Sequence, residues 1–458
     1  MNPSDCTIIL FGATGDLARR KLIPAIYKLI KSGYQKKFLF IGVALEESSL
    51  VQIFEGAREF IDDYDQSVID QCITCGCYEQ LDITNQDNFV RLAKRVTELE
   101  TTLKLSGNRL VYCAVPSQYF VPIAQHATAA GILACRKNNN EKLKSWQRIV
   151  FEKPFGHDLE SAELMHQQLT ECLSDKQMYI IDHYLAKEIV GNIALVRFTN
   201  RIFEPLWNKE NIESVTITLN EKLDVGMRVG FFEKFGVLKD VVQNHMFQLL
   251  ALVGMEEPES LTSDAICIAK AELLEKVTFK TGYLGQYEGY LQHQGVAPKS
   301  QVATYANLMF EIDNDRWQGV PFRLITGKCL KEKETLIKIK FKPVKCLLTK
   351  ACPSDQNELR ISIVPRAGFA LELNAKKLGN GNEVMPVEME YCHECIYGLY
   401  TPLAYETILQ EVIEGMRSIS VSFDELITSW KLIDQVEQAG LAMYPYPCGG
   451  DGPLKENK

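Results

Sequence analysis

Long hydrophobic runs are missing from this chain. No apolar stretch approaches the roughly 20 residues that cross a bilayer, so no membrane-spanning helix is expected. Met1 to Leu10 carry no basic stretch followed by a long apolar one, so no secretory signal is read there, and the cytoplasm is the expected location. An excess of positive charge is missing too. With a formal net charge of −9, the surface as a whole attracts neither nucleic acid nor an anionic membrane. A phosphorylated ligand would need a local patch of cations. There is no internal repeat and no low-complexity tract, and Asn138-Asn139-Asn140-Glu141-Lys142 is a polar loop and no more. Histidine is scarce at seven residues, so a histidine among apolar neighbours is informative.

Cysteine is plentiful, at 14 residues, but the pattern that holds zinc is missing. Cys72, Cys75 and Cys77 form one cluster, and Cys392 and Cys395 surround His393 in another. Structural zinc usually takes two pairs with a regular spacer. These clusters stand far apart, and neither has a clear second pair. The expectation is free thiols in a reducing compartment, many buried as small hydrophobes, and no metal.

At 458 residues the chain is too long for one ordinary core, and at least two domains are expected. Thr7 to Phe11 reads as a short buried strand. Leu22, Ile26, Leu29 and Ile30 then recur at helical spacing, with Gly33 as C-cap. Strands over Phe38–Val43, Arg109–Val115 and Arg148–Phe151, with a helix over Tyr119–Ala130, continue the alternation. Such alternation implies a parallel, doubly wound sheet with right-handed crossovers. From about Asn211 the pattern changes. Ser214–Leu219, Val302–Ile312, Leu336–Phe341 and Leu359–Val364 alternate or run β-branched, with helices at Val237–Val253 and Ala404–Glu414. That predicts a mainly antiparallel sheet with helices on one face.

The first strand runs into Gly12-Ala13-Thr14-Gly15-Asp16-Leu17-Ala18. Gly12 permits the tight turn, Gly15 lets a pyrophosphate approach the backbone, and Ala18 is small enough for the helix to pack on the sheet. The helix N-terminus offers N–H groups and partial positive charge to the phosphates, and Lys21 adds direct charge one turn in. The position at the start of a βαβ unit favours a Rossmann-type dinucleotide site; the other reading is a plain glycine turn between a strand and a helix. The fold class is therefore α/β plus α+β: a dinucleotide-binding Rossmann domain over 1–180, a mainly antiparallel α+β domain over 181–447, and a flexible tail over 448–458. The end of the second strand selects the dinucleotide. An acid there bonds the ribose 2′-hydroxyl of NAD, and an arginine accepts the 2′-phosphate of NADP. The sequence reads Gly42-Val43-Ala44-Leu45-Glu46-Glu47-Ser48-Ser49, without arginine. Glu46 and Glu47 would repel a phosphate, which leans toward NAD; the other reading is a plain solvated turn.

Three later segments set polar chemistry among apolar residues. Ile180 to Glu188 contains Asp182, His183, Tyr184 and Lys187; Gln243-Asn244-His245 interrupts an apolar helix; Gly327-Lys328 follows the strand Pro321–Ile325. Oxidising a sugar's anomeric hydroxyl needs a base for the O–H proton while hydride leaves the carbon. A neutral imidazole supported by a carboxylate suits that task. His245 with Asp182 is suited to be such a pair, and His183, Tyr184, Lys187 and Lys328 supply donors for a sugar phosphate. A core histidine accounts for His245 alone, and a helix N-cap for Asp182 alone. Neither accounts for all three segments together.

Taken together, these residues resemble the glucose-6-phosphate dehydrogenase family. The matching text is the glycine turn 12–18; Glu152-Lys153-Pro154-Phe155-Gly156; Ile181 to Leu185 with Lys187-Glu188; Arg197-Phe198 with Asn200 and Trp207-Asn208; Asp240-Val241 with Gln243-Asn244-His245; and Gly319 to Phe322 with Gly327-Lys328. Weaker similarity continues through Tyr405-Glu406 and Trp430 to Tyr446-Pro447. The resemblance implies that His245 takes the C1 hydroxyl proton of glucose 6-phosphate while Asp182 holds it and stabilises the imidazolium. It implies the 6-phosphate on His183, Tyr184, Lys187 and Lys328, and the sugar hydroxyls on Glu221 and Asp240. Lys153 would contact sugar and coenzyme, with a cis peptide to Pro154. The coenzyme, NADP by family habit or NAD, would lie on Gly12, Thr14, Gly15, Asp16, Leu17, Lys21 and Lys153. The implied product is 6-phosphoglucono-1,5-lactone, the entry to the pentose phosphate route. The implied partners are the small-molecule substrate and a second copy of the chain, in a homodimer or homotetramer, with the α+β domain over 181–447 binding the substrate and mediating dimers.

Departures qualify the resemblance. NADP-preferring members carry an arginine where Leu45 stands, and Ala186 replaces a usual glycine. Ser362 and Val364 stand in the strand where some animal enzymes hold an extra structural NADP, so no second cofactor site is expected. Two other functions compete. An oxidoreductase of an unphosphorylated sugar would not call for His183, Lys187 and Lys328 together. An idle dinucleotide-binding regulator would be expected to lose His245 or Asp182.

Overall fold

Six short strands, all but β3 largely apolar, build the first sheet: β1 Cys6–Phe11, β2 Phe38–Ala44, β3 Gly76–Gln80, β4 Arg109–Cys113, β5 Gln147–Phe151 and β6 Met178–Ile181. Every residue of β1 and β2 is buried, as expected for central parallel strands covered on both faces. A two-residue strand, Ser420–Val421, pairs antiparallel with β6. The order is Ser420–Val421, β6, β5, β4, β1, β2, β3, and the other pairs are parallel. The chain winds outward from β1 through β2 to β3, then crosses to β4 on the other side of β1. The strand order therefore reverses at the carboxyl ends of β1 and β4, where open α/β sheets bind ligands.

The computed structural model describes residues 5–34, 37–135, 145–344, 356–379, 384–397 and 404–453. The polar loop read at 138–142 and the last five positions of the expected tail lie outside them. The chain divides into two compact units, Met1–Ala186 with Pro402–Phe423, and Lys187–Thr401 with Asp424–Lys458. The first unit thus runs past the expected boundary at 180 and recovers a late segment. That segment is held by Arg148 on β5, whose guanidinium donates to the Ile413 carbonyl at 2.8 Å and to that of Val412. A cation at these last carbonyls of the helix Ala404–Glu414 suits both its unpaired acceptors and its dipole.

The second unit is built on β7 Ile212–Asn220, β8 Val277–Tyr287, β9 Tyr305–Ile312, β10 Phe322–Gly327, β11 Glu334–Phe341, β12 Glu358–Val364, β13 Gly368–Lys376 and β14 Val384–Cys392, with a last strand Met443–Tyr446. Their order is β14, β13, β12, β11, β7, β10, β9, β8, Met443–Tyr446. Neighbours are antiparallel except β10 with β7 and the last strand with β8. In β7 and β9, buried residues alternate with more exposed ones, the mark of a sheet with one covered face.

The helix expected over Val237–Val253 is broken into pieces. Gly236, at a φ of 60°, interrupts the helical turns before it, a π-helix runs Leu238–Met246, and an α-helix runs Phe247–Gly254. Apolar spacing is read against an α-helical period and does not register a π turn. The carbonyls at the end of this helix are met by three buried donors. Arg197 donates to Val253 at 3.1 Å and Met255 at 2.5 Å, the Trp207 indole to Val253 at 2.8 Å, and the Trp317 indole to Gly254 at 2.7 Å. Burial lowers the Arg197 pKa to about 10, against the pull of Glu204 at 2.8 Å.

Among the described residues, the free-thiol expectation needs correction at four positions. Cys392 pairs with Cys395, and Cys329 with Cys448 across 119 residues. Such a separation gives no hint in the sequence; the last strand brings the two Cα atoms of Cys329 and Cys448 to 5.0 Å. Cys72, Cys75 and Cys77 remain thiols. Burial pushes the Cys72 thiol up to about 12 and that of Cys77 to about 11.

Candidate functional site

The glycine turn closes where β1 ends. Gly12 has a φ of 82°, and its N–H donates to the Val43 carbonyl of β2 at 2.8 Å. A Cβ there would lie 2.3 Å from the Ala114 carbonyl oxygen just beyond β4, so only glycine fits. Gly15 N–H donates back to the Gly12 carbonyl at 3.0 Å, and Ala18 is fully buried at the start of a π turn, Ala18–Leu22. The following helix Ile23–Lys31 carries Pro24 in its first turn, where a missing N–H costs nothing. Leu17 is half-buried, while Asp16 and Lys21 are exposed. Arg20 at 2.6 Å and Arg19 at 3.3 Å hold the Asp16 carboxyl below its ordinary range.

The segment after β2 meets this turn. The Thr14 hydroxyl donates to the Glu46 carboxylate at 3.0 Å. The Tyr78 hydroxyl donates to the Glu46 carbonyl, and the Gln80 amide to the Leu45 carbonyl at 2.9 Å. Glu46 is therefore fixed against the glycine turn by its side chain and from β3 by its backbone. Glu47 is exposed, and Leu45, 64% exposed, offers no charge.

Beyond β5, the peptide between Lys153 and Pro154 is cis, as the resemblance implied. Gly156 follows with a φ of 78°, and a Cβ there would come 2.8 Å from Ala162. Glu152 is buried and accepts from the Tyr112 hydroxyl of β4 at 2.6 Å. Burial raises its pKa; hydrogen bonds from Tyr112 and from Tyr405, with the charge of Lys153, oppose the rise without cancelling it. A raised folded-state pKa makes the stability contribution fully present below the unfolded glutamate value, about 4.3. It is then lost as pH rises through the folded value. Glu152→Gln keeps the shape without the charge. Its thermal midpoint should therefore gain on that of the unsubstituted protein as pH is raised from about 4 to neutrality. A pH-independent difference would show that Glu152 does not titrate in that window.

Asp182 follows β6 and is buried. Its N–H donates to the Ile419 carbonyl at 3.4 Å, and its carboxylate accepts from the Tyr184 N–H at 2.9 Å. It caps a local turn and not a helix: the next helix is Glu188–Thr199, with Lys187 at its N-cap. The half-buried rings of His183 and Tyr184 lie 5.2 Å apart.

In the second unit, β7 and β10 run parallel as neighbours, so Glu221 and Lys328 leave the sheet at the same end. Glu221 N–H donates to the Gly327 carbonyl at 2.8 Å. The Lys328 ammonium lies 3.0 Å from the Glu221 carboxylate, 3.6 Å from that of Asp240 and 5.2 Å from the centre of the Phe232 ring. Lys328 and Asp240 are each 4% exposed by side chain. A cation placed so deep is satisfied only by such partners. Asp240 and His245 share the π-helix, where i→i+5 bonding sets residues five apart about one turn from each other. His245 is 3% exposed. Arg228, 3.6 Å from Asp240, is an exposed cation beside this group that sequence reasoning missed, because it stands in no motif. The Tyr112 and Tyr405 contacts of Glu152 were missed because the three residues stand far apart in the sequence.

Both units have counterparts among known proteins. The family model "Glucose-6-phosphate dehydrogenase, NAD binding domain" matches residues 9–192, and "Glucose-6-phosphate dehydrogenase, C-terminal domain" matches 194–458. The glucose-6-phosphate 1-dehydrogenase of Chlamydia pneumoniae is 37% identical, covering 98% of this chain and 93% of its own. That of Bacillus subtilis (strain 168) is 36% identical, covering 98% and 95%. A solved glucose-6-phosphate dehydrogenase in complex with its substrate glucose-6-phosphate superimposes with a TM-score of 0.89 at 30% identity, covering 100% and 97%. With the glycine turn, the cis Lys153–Pro154 peptide and the buried lysine–carboxylate group all falling within these full-length matches, the chain belongs to the glucose-6-phosphate dehydrogenase family.

Proposed function

We infer that this chain oxidises D-glucose 6-phosphate to 6-phosphoglucono-1,5-lactone, passing hydride to a nicotinamide dinucleotide as the first step of the pentose phosphate pathway. The observation that carries the reading is the buried Lys328 held by Glu221 and Asp240, an ordered set of donors and acceptors suited to a phosphorylated sugar. His245 takes the C1 hydroxyl proton, and Asp182 is the carboxylate that stabilises the resulting imidazolium. His183, Tyr184, Lys187 and Lys328 receive the phosphate. Glu221 and Asp240 orient the sugar hydroxyls, and Lys153 serves sugar and coenzyme. The nicotinamide ring supplies the hydride acceptor. Gly12, Thr14, Gly15, Asp16, Leu17 and Lys21 form the turn that receives the dinucleotide.

The coenzyme preferred is NAD. Glu46, bonded to Thr14 at 3.0 Å, offers a carboxylate to a ribose 2′-hydroxyl and repels a 2′-phosphate. Initial rates of glucose 6-phosphate oxidation with NAD and with NADP test both statements. NAD should be favoured in kcat/KM, and Glu46→Ser should move the ratio toward NADP by about tenfold, or 1.4 kcal/mol. A preference for NADP that ignores this substitution would sink the role of Glu46. Turnover with neither coenzyme would sink the reaction itself.

The domain roles keep the boundaries read from the sequence: dinucleotide binding over 1–180, substrate binding and dimerisation over 181–447. Support for a dimer is the strand β14, which leaves Met385 43% and Met389 64% exposed. Among the described residues no helix is long and apolar enough to cross a membrane. A cytoplasmic location is supported by a 34% identical relative from Arabidopsis thaliana, "Glucose-6-phosphate 1-dehydrogenase 6, cytoplasmic".

A further inference from the structure

After Tyr446 the chain folds back onto the end of β10. The Lys328 N–H donates to the Thr304 carbonyl at 2.9 Å, and the Lys328 carbonyl accepts from the Tyr446 hydroxyl at 2.7 Å. Cys329 comes next, with a φ of 55° that is uncommon for a residue with a side chain. Its N–H donates to the Leu223 carbonyl at 3.0 Å, its carbonyl accepts from the Gly449 N–H at 2.7 Å, and its sulfur is bonded to that of Cys448. Lys331 N–H donates to the Gly450 carbonyl at 2.9 Å. The residue directly after Lys328 is thus tied covalently to a segment, Pro447 to Gly452, that contains three glycines. Gly449 and Gly452 sit at φ values of 80° and 103°. Such a segment loses much backbone freedom on ordering, and the disulfide removes part of that loss by restricting the unlinked alternatives.

We propose that Cys329–Cys448 is a reversible redox modification site whose state sets how firmly Lys328 is held for the phosphorylated substrate. The two sulfurs are unequal. Cys329 is 5% exposed, whereas Cys448 lies at the surface, so exchange begins at Cys448. The oxidant is a low-molecular-weight disulfide. The Cys448 thiolate attacks one of its sulfurs, forming a mixed disulfide and expelling one small thiolate. The Cys329 thiolate then attacks the Cys448 sulfur and expels the second. Two protein thiols lose two protons and two electrons, and the small disulfide becomes two thiols. Reduction by excess small thiol runs the same steps backward.

The inference rests on the reading of Lys328 as a substrate ligand, and the experiment separates the two. The full-length protein is equilibrated in oxidised and in reduced glutathione, digested without reductant, and assayed in parallel. A peptide linking Cys329 to Cys448 should form at the oxidising end. Reduction should raise KM for glucose 6-phosphate about fivefold, as expected when a binding group is less well positioned, and leave KM for the dinucleotide unchanged. Cys448→Ser should show the raised KM in both buffers. No linked peptide, or the same KM in both states of the unsubstituted protein, overturns the proposal. So does a redox shift that persists in Cys448→Ser, since it belongs to another pair. Lys328→Ala decides which reading has failed: if it raises KM while the redox state does not, the redox site falls alone. If it leaves KM unaltered, the substrate role of Lys328 falls and this coupling with it, even where the linked peptide is found.

Discussion

Replacing His245 by asparagine should lower kcat by about 10²–10⁴, the range typical of a lost general base, while KM for glucose 6-phosphate stays within about threefold. The argument starts from the helix. His245 is 3% exposed on the π-helix Leu238–Met246, and the adjoining helix is fixed at its far end by Arg197, Trp207 and Trp317. Asparagine keeps a polar side chain of smaller size in that frame, and those three donors are untouched, so the fold should survive. Losing only the base should appear in kcat and kcat/KM equally, because proton removal is made only in the transition state. Unchanged turnover would end the assignment of His245. A large rise in KM together with a fall in thermal midpoint would show that the residue is structural. Near-UV circular dichroism on the same sample separates these outcomes.

The largest expected effect on stability comes from Lys270. It lies on the helix Ser263–Leu274, with its ammonium 2.9 Å from the Glu425 carboxylate and 2.8 Å from the Gln248 amide oxygen. The two charged side chains are 1% and 0% exposed. Lys270→Met deletes the cation and strips the buried carboxylate of that partner, a change that costs about 3–5 kcal/mol. Denaturant titration should show the loss as a lower midpoint with an unchanged slope. Adding Glu425→Leu should recover most of it, since a buried ion pair replaced by apolar side chains is often neutral or better. A loss below about 1 kcal/mol in the single variant would mean the pair is solvated in a way its burial denies. Gln248 stands three residues after His245, so the same lysine also steadies the helix Phe247–Gly254, which continues directly from the one that carries the candidate base.

Several of these features were legible in the sequence for a physical reason. Gly12 is written by sterics, since no other residue tolerates the Ala114 carbonyl at that distance. The parallel sheet is written by apolar strands between helical periods, and strands β7, β9, β11 and β12 by one-sided alternation. Other features leave no local trace. β14 is largely exposed and lacks alternation, and β8 is only partly buried, so neither stood out. A π turn differs from an α turn by one residue and keeps nearly the same apolar face. Glu221, Asp240 and Lys328 come from three elements, and only the register of β7 against β10 shows that two of them leave the sheet together. Thr14 and Glu46 are 32 positions apart, and each is unremarkable until the turn and the end of β2 meet. The Cys329–Cys448 link is the extreme case, because pairing across a long separation is a property of the fold and of nothing nearby.

The late return of 402–423 to the first unit bears on how the chain is made. Ser420–Val421 adds the outermost strand beside β6, and Arg148 and Tyr34 find Ile413 and Glu414 only when that segment arrives. During synthesis the ribosome delivers β1 to β6 long before their closing edge. For more than two hundred residues of elongation the nascent first unit therefore carries an uncapped β6, an open edge of the kind other chains can pair with. Completing the dinucleotide-binding unit is in this sense among the last acts of translation, and a chain halted before residue 402 would be left with its first sheet unfinished.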